Sequence, residues 1–184
     1  MSPTPPRPQV LAAAARVLNL AREAGVTVTT AESLTGGLLC ATLVAIPGAS
    51  DVVRGGIVAY DADLKTSLLG VPRDLIRAHT VVSPEVAVAM AHGARRAGGS
   101  HWGVATTGVA GPGAHAGRPA GTFVVAVAGP ARAQAWVERD GMAGTEAGGG
   151  IGGGDVPPDD ARDRVRWAAV EEALALLERH LTQT

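Results

Sequence analysis

A single lysine, Lys65, stands against fifteen arginines in this sequence, and five positions before it lies the only tyrosine, Tyr60. Lysine and arginine differ in one property that matters for catalysis. A guanidinium keeps its proton in proteins, whereas a desolvated amine can lose it near neutrality. Bringing a lysine from its reference pKa of about 10.4 to about 7 takes roughly 4–5 kcal/mol of differential destabilisation of the cation. Leu64, Leu68 and Leu69 are the expected apolar surround, with the phenol of Tyr60 near enough to relay a proton or hold the amine. A neutral amine is a base, and a base needs a nucleophile to serve.

Ser33 is the serine placed for that role. It follows the β-branched run Val26–Thr30 and precedes Thr35, Gly36 and Gly37, where an apolar helix begins. A serine there either presents its hydroxyl at a sharp turn, with helix-start amides facing a developing oxyanion, or simply caps the helix. No G-x-S-x-G pattern is present, and His79, His92, His101, His115 and His180 have no acidic neighbours arranged as in a triad, so they read as surface or packing residues. A second candidate is "TTGVAGPGAHAGRPAGT", Thr106 to Thr122. There Thr107, Gly108, Gly111 and Gly113 offer a phosphate or carboxylate hydroxyl and backbone donors, or form a plain tight connection. A Walker loop is excluded by sequence.

The elements that must position these groups alternate. Gln9–Gly25 carries apolar residues at helical spacing, Val26–Thr30 reads as a strand, and "LLCATLVAI" reads as a buried helix ending before Pro47. Gly55–Tyr60 reads as a second strand, and Asp61–Leu69 as a helix stopped by Gly70. Ser83 and Pro84 open a helix that ends near Gly98. Three further strands, "WGVATTG", "GTFVVAVAG" and "RAQAWVERD", precede a last helix over Ala161–Leu181. The pattern predicts a single-domain α/β fold, a three-layer α/β/α sandwich around a mixed sheet. Residues 1–8 read as a disordered Pro-rich tail, 9–184 as the domain, and about 141–160 as a flexible Gly-rich insertion.

Composition narrows the function classes. With 46% hydrophobic and 18% charged residues over 184 positions the chain is globular, and 3% aromatics leave Ala, Val and Leu to build its core. A net charge of −1 without a basic tract disfavours nucleic acid as a partner, although a lone arginine suffices for one phosphate. One cysteine, Cys40, excludes an internal disulfide, and the histidine spacing suggests no metal. No apolar run reaches membrane-spanning length, so a soluble, cytoplasmic protein is expected.

Together, "TVTTAESLTGG", "GGIVAYDADLKTSLLGV", "TVVSPEVAVAMAHGA", "TTGVAGPG" and "PAGTFVVAVA" resemble, in order, the CinA C-terminal domain family of PncC-type nicotinamide-nucleotide amidohydrolases. The resemblance covers roughly residues 26–128. It implies hydrolysis of the carboxamide of nicotinamide mononucleotide to nicotinate mononucleotide and ammonia, with no metal or cofactor, in a homo-oligomer. The family's serine–lysine–tyrosine set falls on Ser33, Lys65 and Tyr60. Thr35, Gly36, Gly37, Thr107, Gly108 and Gly111 are the expected substrate contacts, with Arg162 aligned to a family arginine. The amides near Gly36 and Gly37 are expected to hold the oxyanion. A different class also fits these residues: a catalytically idle nucleotide-binding, sensor or assembly module of the same fold.

Overall fold

The computed structural model describes residues 7–130, 134–140 and 158–183. In chain order the elements are α1 (Pro8–Glu23), β1 (Val28–Glu32), α2 (Leu38–Val44), β2 (Val53–Val58), α3 (Ala62–Leu69), α4 (Arg73–His79), α5 (Pro84–Gly98), β3 (Trp102–Gly108), β4 (Phe123–Ala128), β5 (Gln134–Arg139) and α6 (Pro158–Leu181). The strands form one sheet in the order β2-β1-β3-β4-β5. The first three run parallel and the β3–β4 and β4–β5 pairs antiparallel, which is the expected mixed sheet.

Side-chain alternation splits the core in two. Every residue of β4 is buried. Phe123, Val125 and Val127 join α1, α2 and α6 on one face, while Val124, Ala126 and Ala128 join α5 on the other. Such continuous apolar strands belong to a sheet covered on both sides, the middle layer of an α/β/α sandwich. The α6 face is filled by large groups such as Trp102, Phe123 and Trp167. The α5 face is lined with alanines, so that helix sits close to the sheet.

Several boundaries differ from the sequence expectation for physical reasons. β1 starts and ends two residues later than predicted, and its last residue, Glu32, is polar yet buried in the sheet, so a sequence reading ends the strand before it. α6 begins at Pro158 rather than Ala161, a residue suited to a first helical turn. α4 was not anticipated; it is seven residues long and contributes only Leu75 and Ile76, partly buried, to the core, too little for a periodic stripe to read. The Gly-rich segment up to residue 157 and residues 1–6 of the Pro-rich start lie outside the described residues. Among the described residues no helix is long and apolar enough to cross a membrane.

The close seat of α5 depends on Gly103. A Cβ there would run into the carbonyl oxygen of Ala91 on α5, a backbone atom with no rotamer to escape through. Gly103→Ala is expected to lower unfolding free energy by about 3 kcal/mol. Urea denaturation should show a reduced midpoint with unchanged slope.

Candidate active site

The site begins with a buried carboxylate. Glu32, the last residue of β1, is fully inaccessible to solvent. Its Oε2 accepts hydrogen bonds from the Gly37 and Leu39 amides at 2.9 and 3.0 Å and from the Thr35 hydroxyl at 2.7 Å. Its Oε1 accepts from the Cys40 amide at 2.8 Å and the Thr30 hydroxyl at 3.1 Å. Since the Thr35 proton is spent on Glu32, the 2.7 Å contact between the Thr35 and Thr106 hydroxyls has Thr106 as donor. A carboxylate from the preceding strand thus takes the place of a side-chain cap at the start of α2. Gly37 itself holds the N-cap position at φ 97°, a left-handed conformation suited to glycine.

This arrangement corrects two expectations. Ser33 is not the cap of α2, and the amides at the start of α2 are not free to hold an oxyanion. Gly36 donates its N–H to the Ser33 carbonyl, and Gly37 donates to Glu32. Thr35, Gly36 and Gly37 shape the turn and do not line the cleft beside Ser33.

Ser33 is fixed by its own N–H, which donates to Thr106 on the neighbouring strand at 2.9 Å. That leaves its hydroxyl beyond the carboxyl edge of the parallel strands, where open α/β sheets place ligand crevices. Lys65 reaches the same point from α3. Its side chain is almost wholly buried, and Nζ donates to Ser33 Oγ at 3.0 Å, to the Ala59 carbonyl at 2.8 Å and to the Tyr60 carbonyl at 3.1 Å. Asp61 holds the helix in place as its N-cap, accepting the Asp63 amide at 2.8 Å. Burial pushes the Lys65 amine down to about 8, opposed by the Asp61 carboxylate, which favours the cation. The apolar surround differs from expectation: Leu69 is buried, whereas Leu64 and Leu68 are exposed.

Tyr60 also departs from its expected place. Its backbone carbonyl, rather than its phenol, contacts the amine. The phenol oxygen accepts from Arg162 Nη2 at 3.0 Å, and Arg162 Nη1 donates to the Gly111 carbonyl at 2.7 Å. One guanidinium from α6 thereby ties together the segment after β2 and the loop after β3. The cleft so enclosed has a volume of about 280 Å³, and Ser33, Tyr60, Lys65, Thr107, His115 and Arg162 are among its lining residues. Gly108 and Gly111 line it too. Thr107 gives its proton to the Val81 carbonyl at 2.7 Å, so it offers the cleft acceptor lone pairs only.

Sequence reasoning missed Glu32 and His115. The signal for Glu32 was an acidic residue just ahead of a helix start; His115 is exposed, as its surface reading implied, and what sequence did not give is its place on the rim of the cleft.

Comparison with known proteins agrees with the fold and gives its family. The model of the CinA C-terminal domain matches residues 11–146. The chain belongs to the CinA C-terminal domain family. A CinA-like protein of Anaeromyxobacter sp. (strain K) is 48% identical over 147 residues, covering 79% of this chain and 32% of that protein. One from Myxococcus xanthus is 40% identical over 169 residues, 91% of this chain and 36% of the relative. The chain therefore spans about a third of the length of these CinA-like relatives. Among solved structures, the competence/damage inducible protein CihA of Agrobacterium tumefaciens superposes with TM-score 0.81 at 33% identity, over 99% of both chains. A CinA superfamily protein of Klebsiella pneumoniae superposes with TM-score 0.80 at 26% identity, over 95% of this chain and 99% of that one.

Two measurements probe the site without reference to any substrate. Glu32→Gln places an amide group among five donors, and it should cost about 3 kcal/mol in denaturant unfolding. Lys65 gives a pH signature. Between pH about 8 and 10.5 the unfolded chain holds the Lys65 proton and the folded chain does not, so stability rises with pH there. Relative to Lys65→Met, the wild type should gain up to about 3 kcal/mol across that window. A difference independent of pH would mean that the amine titrates at its ordinary value.

Proposed function

We propose that this chain is an amidase that hydrolyses the carboxamide of nicotinamide mononucleotide to nicotinate mononucleotide and ammonia. The observation that carries the proposal is the 3.0 Å contact between Lys65 Nζ and Ser33 Oγ, made by a buried amine brought to about 8. The carbonyls of Ala59 and Tyr60 engage two N–H groups of the amine, so in the neutral form its lone pair is left for the Ser33 hydroxyl. At pH 7 about one molecule in ten carries the neutral amine, a workable fraction for a general base.

In this reading Lys65 takes the Ser33 proton as Oγ attacks the carboxamide carbon. The ammonium of Lys65 gives the proton to the amide nitrogen as the C–N bond breaks, and ammonia leaves. Water, deprotonated by the same amine, attacks the acyl ester, and the proton passes to Oγ as Ser33 is freed. Tyr60 borders the substrate, and the serine proton goes to Lys65 alone. The first amides of α2 are spent on Glu32 and do not serve as an oxyanion hole. Arg162 has N–H groups beyond the two used on Gly111 and Tyr60, which suit an anionic group of the substrate. No Asp or Glu is among the described lining residues, which suits an anionic nucleotide.

The test is ammonia release from nicotinamide mononucleotide by the purified protein. Ser33→Ala and Lys65→Arg should each lower kcat at least about a thousandfold, since arginine keeps the charge but cannot act as the base. The rate should rise with pH and reach half its plateau near 8, because the deprotonated amine is the active form. Near-normal turnover by Lys65→Arg would sink this mechanism. Tight nucleotide binding without ammonia release would favour the catalytically idle sensor.

A further inference from the structure

Two non-glycine residues among the described ones have positive φ, Thr80 at 66° and Ala116 at 51°, and both adjoin the cleft. Thr80 immediately precedes Val81 and Val82 of the cleft wall, and Ala116 follows His115. Side chains rarely hold such backbone without a compensating structure around them. Here the compensation can be traced. His115 and Arg118 exchange backbone hydrogen bonds at 3.0 and 2.9 Å across a two-residue turn, Ala116-Gly117, in which both residues have positive φ. Arg118 anchors that hairpin twice, by Nε to the Val82 carbonyl at 3.2 Å and by an ion pair to Glu138 on β5 at 2.7 Å. The strained segments are thus joined to each other, and His115, exposed to solvent, borders the cleft beside them.

The chemistry of the cleft says what that imidazole meets. Arg162 is held on Gly111, four residues before His115 in the same loop, and both its hydrogen-bond acceptors are uncharged. Among the described lining residues there is no carboxylate to balance it. We propose that His115 is a specificity residue, held by its anchored hairpin to bind, together with Arg162, the phosphate of the nucleotide substrate while the carboxamide lies at Ser33. This rests on the amidase reading for the identity of the substrate. The imidazole contributes an N–H donor in either protonation state and a positive charge when protonated.

The experiment compares nicotinamide mononucleotide with nicotinamide riboside, the same carboxamide without the phosphate. His115→Ala should raise KM for the mononucleotide about tenfold with kcat unchanged, and leave KM for the riboside as it was. Ala116→Val, a β-branched residue that resists positive φ, should reproduce the KM effect with His115 still present. Equal losses on both substrates, or no change in KM, would overturn the proposal. If the wild type releases no ammonia, calorimetric binding of the same two compounds decides instead. A phosphate preference that His115→Ala reduces about tenfold supports the phosphate contact even as the amidase reading fails, and a preference that survives the substitution refutes it.

Discussion

A single buried carboxylate organises the chemical end of this molecule. Glu32 leaves water completely, and every requirement of that transfer is met by groups around Ser33: three amides from the start of α2 and two threonine hydroxyls. Unpaired, such a charge would be among the most costly features a fold can contain. Paired in this way, it decides where α2 starts and how the chain turns between Ser33 and Gly37. It links that turn through Thr35 and Thr106 to β3. The position of the serine hydroxyl is therefore set by a network with no exposed member, which gives it little freedom to wander.

Lys65 works in the opposite direction. Its burial disfavours the charged form, and the drop from 10.5 to about 8 corresponds to about 3 kcal/mol between protonation states. Two carbonyls and the Asp61 charge offset part of that, so the amine is neither fully suppressed nor left as a surface cation. The carbonyls come from Ala59 and Tyr60, at the junction of β2 and α3, and the cap on α3 is the next residue, Asp61. The same turn thus ends a strand, starts a helix and holds the amine.

Much of this was legible in sequence, and what was not has a common cause. Lys65 was visible because arginine usage elsewhere made it an exception, and helix α3 because Asp61 and Gly70 mark its ends. The mixed sheet followed from the short connections late in the chain. Glu32 was overlooked because a polar residue ending a strand ordinarily signals solvent, and only the tertiary fold reveals that α2 covers it. The Tyr60 phenol was expected beside the amine because the two are close in sequence. Its actual partner, Arg162, lies 102 positions away. Proximity along the chain placed the turn correctly and aimed the ring wrongly.

The two walls of the cleft are built on different principles. On the Ser33 side, buried hydrogen bonds fix the serine hydroxyl and the Lys65 amine through strand ends and short helices. On the other side, Thr80 and Ala116 hold backbone conformations that each cost about 1–3 kcal/mol. Arg118, Thr107 and Arg162 bridge the segments that carry them. A loop selected only for stability would place glycine at both strained positions, as the chain does at Gly111, Gly117 and Gly121. Retaining side chains there makes sense when the adjoining residues have to face the cleft in one orientation. In the proposed amidase, the rigid wall governs which bond is attacked, and the strained wall governs which molecule is admitted.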